Sequence, residues 1–194
     1  MILEESFMDL TKREKMKILL EQLQLPDDVI ANHFEESVLK RLVVHKNDKL
    51  WHFYIGINET LPFPVYKMLY EGLQQSFQDI ATTQLTLEIE NKKETNELVT
   101  EFWQAFLRQV PSILPNHLEM LLQQKVQIQD NQLMVKVKTE AEAVSLQKRL
   151  VEPFKEYCQT VGLSPYQVVI HGDTALQELE DFRQQTDKED RENA

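Results

Sequence analysis

Five histidines, one cysteine and 32 acidic residues are the raw material for chemistry in this 194-residue chain, and their spacing argues against most of it. Acid–base catalysis needs two carboxyl groups that converge on one point with their pKa values pushed apart. Asp27–Asp28 and Glu35–Glu36 are adjacent pairs, whose side chains diverge, and they read as solvated helix ends. His33, His45, His52, His117 and His171 form no H-x-x-x-H pair, and Cys158 has no second thiolate for zinc or for a disulfide. Cys158 lies four residues after Phe154 and three before Val161. That is the spacing of a buried helix face, whereas a reactive thiolate needs an exposed, electropositive setting. There is no G-x-x-x-x-G-K-[ST] and no G-x-S-x-G, and only 4 glycines to build a phosphate-cradling loop. The sequence therefore predicts no catalytic residue, no metal ligand and no cofactor: a non-catalytic segment.

One cluster stands out from an acidic background of net charge −11. Lys40, Arg41, His45, Lys46, Lys49 and His52 crowd one short stretch, opposed there by Asp48 alone. If the stretch is a hairpin, strand parity puts Arg41, Val43, His45, His52 and Tyr54 on the face away from Trp51, Phe53 and Ile55. Cations beside aromatics suit two partners. They stack on and pair with single-stranded nucleic acid, and they equally suit an acidic protein, since aromatics and Arg are enriched at interfaces. A plain polar sheet face is the third reading. The candidate partner surface is Arg41, His45, Lys46, Lys49, His52 and Tyr54. Trp51 and Trp103 are expected to be core anchors instead.

The elements that would carry these residues follow from periodicity. Thr11 with Glu14 is a T-x-x-E capping box, and Met16, Leu19, Leu20 and Leu23 follow at helical spacing up to Pro26. A short second helix should start at Asp27–Asp28 and bury Ile30 and Phe34. From Leu39 the period becomes two, with Leu42 and Val44, a turn near Asn47–Asp48, then Trp51, Phe53, Ile55 and Ile57. Pro62 and Pro64 open a helix with Val65, Leu69, Leu73, Ser76, Phe77 and Ile80 on one side. Leu85, Leu87 and Ile89 alternate in a closing strand.

The same order then recurs. A helix from Thr95 or Asn96 carries Leu98, Phe102, Ala105 and Phe106 and stops near Pro111, and a second covers Pro115 to Gln124. A hairpin turns at Asp130–Asn131, and a helix carries Leu146, Leu150, Phe154, Cys158 and Val161. Val168 and Ile170 mark the last strand. Asn131 lies 83 residues after Asp48, so the repeat is one of pattern and not of letters. Pro153 should kink its helix or split it into two abutting ones.

Right-handed strand–helix–strand crossovers make those strands parallel. The expectation is an α+β protein of two tandem modules, each a three-stranded mixed sheet with helices on one face. The first module spans residues 1–90 and the second 91–172, with the polar run Glu90–Glu94 between their folded parts. An acidic helical tail or linker spans 173–194, with 8 acidic and 3 basic residues. In the tail, Leu176, Leu179 and Phe182 would dock part of a helix, and Gln184 to Ala194 reads as a solvated linker. The helix–strand–strand–helix–strand order resembles a truncated type II KH fold, an RNA- and single-strand-binding module that clamps the backbone with a G-x-x-G loop. Neither module has that loop, which turns the reading toward protein binding.

Particular residues also resemble a known family. The run from Leu39 to Ala81 is similar to the N-terminal region of the PolC-type DNA polymerase III alpha subunit of Gram-positive bacteria. It carries H-K-x-x-K-x-W-H-F at His45–Phe53, L-P-F-x-V-Y at Leu61–Tyr66 and F-x-x-I-A at Phe77–Ala81. LMVKVKTEAEA, from Leu133 to Ala143, resembles a run in the second half of the same region.

The resemblance implies a piece of a long replicative polymerase, ahead of its OB-fold, proofreading 3′–5′ exonuclease and polymerase domains. The parent's chemistry would use divalent metal ions, none of whose carboxylate ligands can be placed in this segment. It further implies two small N-terminal domains, the first similar to the domain of the clamp-loader tau subunit that contacts the polymerase in other bacteria. Expected partners are a replisome protein (clamp loader, helicase or helicase loader), with weak or no nucleic-acid binding and no membrane. No run approaches the ~18 apolar residues of a membrane span, and the start lacks a basic region before an apolar core, so no signal peptide is expected. The expected setting is cytoplasmic.

Overall fold

Residues 9–110 and 113–193 are described by a computed structural model, apart from the side chains of residues 174–180. The first half runs α1 (Lys12–Leu23), α2 (Asp27–His33), β1 (Val38–His45), β2 (Leu50–Glu59), α3 (Phe63–Phe77) and β3 (Thr82–Asn91). The second runs α4 (Asn96–Gln109), α5 (Pro115–Gln123), β4 (Gln127–Gln129), β5 (Gln132–Val137), α6 (Glu140–Val161) and β6 (Gln167–Gly172), followed by α7 (Thr174–Glu192). The protein is α+β, with two three-stranded mixed sheets in the orders β1-β2-β3 and β4-β5-β6. In each sheet the hairpin pair is antiparallel and the crossover pair parallel.

The helix ends are set by local chemistry. The Thr11 hydroxyl accepts the Glu14 amide at 3.1 Å, and α1 closes on Gln24 in the left-handed region. Thr95 accepts the Leu98 amide at 3.2 Å and Thr139 the Glu142 amide at 3.2 Å, so α4 and α6 start on the same kind of cap. Asp130 and Asn131 both have positive φ, at 51° and 59°, which is what a two-residue hairpin needs to match the strand twist.

Two compact units organise the packing. The first takes residues up to Phe102 together with Tyr157–Ser164, and the second takes Trp103–Glu156 with the residues from Pro165 onward. In the first, one sheet face buries Leu39, Phe53, Ile55, Ile57, Leu85 and Leu87 against the helices, while Gln84 and Glu88 face outward. Phe102 meets Phe63 edge-on at 5.1 Å and Tyr66 at 5.3 Å, so the start of α4 completes this core. The last turn of α6 closes it from another side. The Ser164 amide donates to Glu94 at 2.8 Å, and Gly162 sits at φ 81° where a Cβ would lie 2.5 Å from Ile89 Cγ1. The second unit buries Trp103 completely, with the Phe106 ring at 5.7 Å and Phe154 edge-on at 5.0 Å.

Several expectations need correction. Trp51 faces inward as its parity requires, but it sits at the open end of its strand, opposite a 44% exposed Val44, and is only partly buried. The fully enclosed tryptophan is Trp103. Ile80 lies past the end of α3 and is exposed, and Ile30 is only partly buried, although Phe34 is a core residue. Pro153 does not split its helix. It lies on the exposed side of an unbroken α6, where its ring projects toward solvent and not into the packed core. Gln184 onward is helical to Glu192, because Gln, Glu, Lys and Arg are good helix formers even with nothing to bury. Phe182 is 71% exposed and so undocked, while Leu176 and Leu179 fall outside the described side chains and Ala194 and Pro111 outside the described residues. Among the described residues no helix is long and apolar enough to cross a membrane.

Candidate protein-interaction surface

The outward face of the first sheet depends on an irregularity in β1. Leu39 pairs with Ile55 and Leu42 with Phe53, both inward, yet Leu39 and Leu42 are three positions apart on β1 while Ile55 and Phe53 are two apart on β2. The register shift falls between Leu39 and Arg41, so β1 carries one extra residue, Lys40. Arg41 faces outward opposite Tyr54 by regular pairing from the hairpin turn, and the extra residue beyond it turns Leu39 inward, opposite Ile55. With regular pairing through Lys40, Leu39 would lie opposite Gly56 on the outward face. Gly56 supplies room: a Cβ there would lie 2.8 Å from Lys40 Cε and 2.9 Å from Val38 Cγ2, so a larger residue would make the lysine stem shift from its path across the sheet. Lys40 reaches Glu88 on β3 at 2.5 Å.

Three of the six sequence-predicted residues come together. The Arg41 guanidinium lies 3.8 Å from the centre of the Tyr54 ring. The Tyr54 and His52 rings stack at 4.1 Å, 20° from parallel. His52 Nε2 then shares a 2.7 Å hydrogen bond with Thr86 Oγ1 on β3. The row thus crosses all three strands. Burial pushes the His52 pKa below its ordinary 6.5, and the positive charges of Arg41 and His45 push it the same way. A neutral imidazole is the form that stacks best beside a cation.

The other three extend the row without joining it. His45 is exposed at the end of β1, opposite Leu50. Lys46 and Lys49 are exposed in the turn, where Lys49 adopts φ 48° and its carbonyl accepts the Thr82 amide at 2.8 Å. Lys40, counted in the basic cluster, is spent on Glu88. Sequence reasoning missed Thr86 and Glu88, because partners on a parallel strand more than thirty residues away leave no local signal. It also overlooked a second basic group on α1, where Lys12, Arg13, Lys15 and Lys17 surround Glu14.

The arrangement is suited to binding. Cations and a ring edge are presented on a rigid sheet, and no group of three or more His, Cys, Asp or Glu that would hold a metal ion occurs among the described residues.

Comparison with known proteins identifies the region. Residues 15–87 match the family "DNA polymerase III polC-type N-terminus I", and residues 101–194 match "DNA polymerase III polC-type N-terminus II". The chain is similar to the PolC-type DNA polymerase III of Oceanobacillus iheyensis, 38% identical over 94% of this chain and 13% of that protein. It is 34% identical to that of Bacillus cereus, over 93% of this chain and 12% of that protein. For Bacillus subtilis the figures are 31%, 94% and 13%. The chain thus spans about an eighth of the length of the curated relatives it matches. With both family descriptions matched in order and relatives aligned along nearly its whole length, this chain belongs to the PolC-type DNA polymerase III N-terminal family, domain I followed by domain II.

Proposed function

We propose that this chain is the non-catalytic, protein-binding N-terminal region of a replicative DNA polymerase, and that it tethers the enzyme to another replisome component. The parent would be a cytoplasmic DNA-directed polymerase with 3′–5′ exonuclease activity, using divalent metal ions held outside this segment. The observation that carries the reading is the Arg41–Tyr54–His52 row beside Lys46 and Lys49, on a chain of net charge −11. Such a row favours an acidic protein patch over a nucleic acid. Single-strand binders offer open aromatic faces to successive bases. Here Tyr54 is already engaged by a cation and by His52, so an inserted base would have to break a 4.1 Å stack. The bulk charge of the chain also repels a phosphate backbone.

The test is a side-by-side titration of the wild-type chain and the Lys46→Glu/Lys49→Glu double variant. Each is titrated with single-stranded DNA and with clamp loader, helicase and helicase loader proteins. A protein partner that the double variant binds with a slower on-rate, at unchanged fold, supports the adaptor, since rim charges mainly steer encounter. Micromolar DNA binding at physiological salt that the variant loses, with no protein partner, replaces it by an accessory single-strand or primer–template contact.

A further inference from the structure

On the helical side of the first unit, α1 and α2 enclose a groove of about 240 Å³. Its floor is apolar. Met16, Leu20 and Phe34 close it from beneath, each at most 4% exposed, and the half-buried Ile30 with Ala31 on α2 supplies the apolar surface that an incoming side chain would touch. Ser37 also lines it, but its hydroxyl donates to the Phe34 carbonyl at 2.6 Å, so its one donor is already used within the fold. The size decides the class of ligand. Small-molecule sites run about 300–1,000 Å³, whereas a cavity of about 150 Å³ takes benzene. A volume between these limits fits one large apolar side chain and little more.

The rim supplies the charge. Arg13 and Lys17, one turn apart on α1, are exposed and line one wall. Arg13 uses one N–H on the Glu35 carbonyl at 3.1 Å, out of the five a guanidinium carries. Lys12 and Lys15 add to the positive field of this turn, against Glu14. Glu35 stands on the opposite wall, so a carboxylate is attracted on the α1 side and repelled on the other.

We propose that this groove is a second docking site, independent of the hairpin surface, for an acidic amphipathic helix of a partner protein. One large apolar side chain enters between α1 and α2, and the partner's carboxylates lie along Arg13 and Lys17. An apolar anchor with flanking charge is the helix-in-groove mode of recognition. The polarity of the two walls sets the direction in which the helix lies.

The probe is a synthetic acidic peptide of about four helical turns, with leucines at i, i+3, i+4 and i+7 and glutamates between them. It is labelled and titrated by fluorescence anisotropy against the full chain. Saturable micromolar binding is expected, lost when the anchoring leucines are replaced by serine. Ala31→Trp, which fills the groove from an exposed position on α2, and Arg13→Glu/Lys17→Glu should each weaken binding at least about tenfold, or 1.4 kcal/mol. Lys46→Glu/Lys49→Glu should leave it unchanged. The unfolding midpoint of each variant is measured first, and if Ala31→Trp does not fold, the charge reversal at two exposed positions carries the test. No saturation, binding that survives either groove variant, or binding lost on the hairpin reversal would each overturn the proposal.

Discussion

Replacing Phe53 by alanine should cost the first unit about 3–5 kcal/mol, while replacing its neighbour Tyr54 should cost about half as much. The two residues are adjacent on β2, and the register turns them to opposite faces. Phe53 is 2% exposed, with the Phe77 ring at 5.5 Å and Trp51 at 6.5 Å. Its removal loses transfer energy and leaves a cavity that a central strand cannot close. Set against a typical domain stability of about 5–15 kcal/mol, that brings the unit close to its threshold. Replacing the half-buried Tyr54 loses a cation–ring pair whose cation is exposed, about 0.5–1 kcal/mol, and a ring stack, about 0.5–1.5 kcal/mol. Water can fill the space. The assay is urea unfolding followed by far-UV circular dichroism, fitted with two transitions if the units melt separately. With a slope of about 1–3 kcal/mol per molar urea, the two variants should separate clearly in midpoint. Equal losses at Phe53 and Tyr54 would mean that the outer sheet face is covered, and the interaction surface would have to be abandoned.

Three further outcomes follow from the same geometry. Because the folded His52 pKa lies below the unfolded value of about 6.5, the unfolded chain binds the proton more readily. Stability from this group is therefore full above that pH and falls as pH drops toward the lowered folded value. His52→Gln should flatten the melting temperature between about pH 7.5 and 5.5, and an unchanged slope would contradict the stacked neutral ring. Gly162→Ala should destabilise the first unit by more than about 2 kcal/mol, since a positive φ alone costs about 1–2 kcal/mol and the added Cβ collides with Ile89. A wild-type unfolding curve for that variant would refute the close approach. Lys40→Met should change stability by less than about 1 kcal/mol, because both ends of its ion pair with Glu88 are over 40% exposed; a larger loss in the same urea assay would show the pair to be shielded from water.

Much of the fold was legible because it rests on interactions a few residues apart. The caps at Thr11 and Thr95, the turn at Asp130–Asn131 and the buried spacing of Leu146, Leu150, Phe154 and Cys158 depend on neighbours in sequence, and periodicity reports them directly. The order of elements then implied two mixed sheets, because a crossover between parallel strands has one favoured hand. Strand parity likewise put Arg41, His52 and Tyr54 on one face.

What only the tertiary structure decided are the places where distant segments meet. Parity alone brings Arg41 outward from the hairpin turn but leaves Leu39 on the wrong side. The extra residue at Lys40 reconciles the two, and it is tolerated because Gly56, on the next strand, leaves space. Trp51 has an apolar neighbour at every second position, yet its burial depends on how far the helices extend over the strand's end. Thr86 enters the aromatic row through a parallel register that no local pattern encodes. The last turn of α6 joins the first unit through Gly162 and Ser164, although it follows the second hairpin in the chain. Helical and strand periods arise from backbone geometry within a few residues, whereas these pairings arise from shape and charge matched between segments from 16 to 70 or more residues apart.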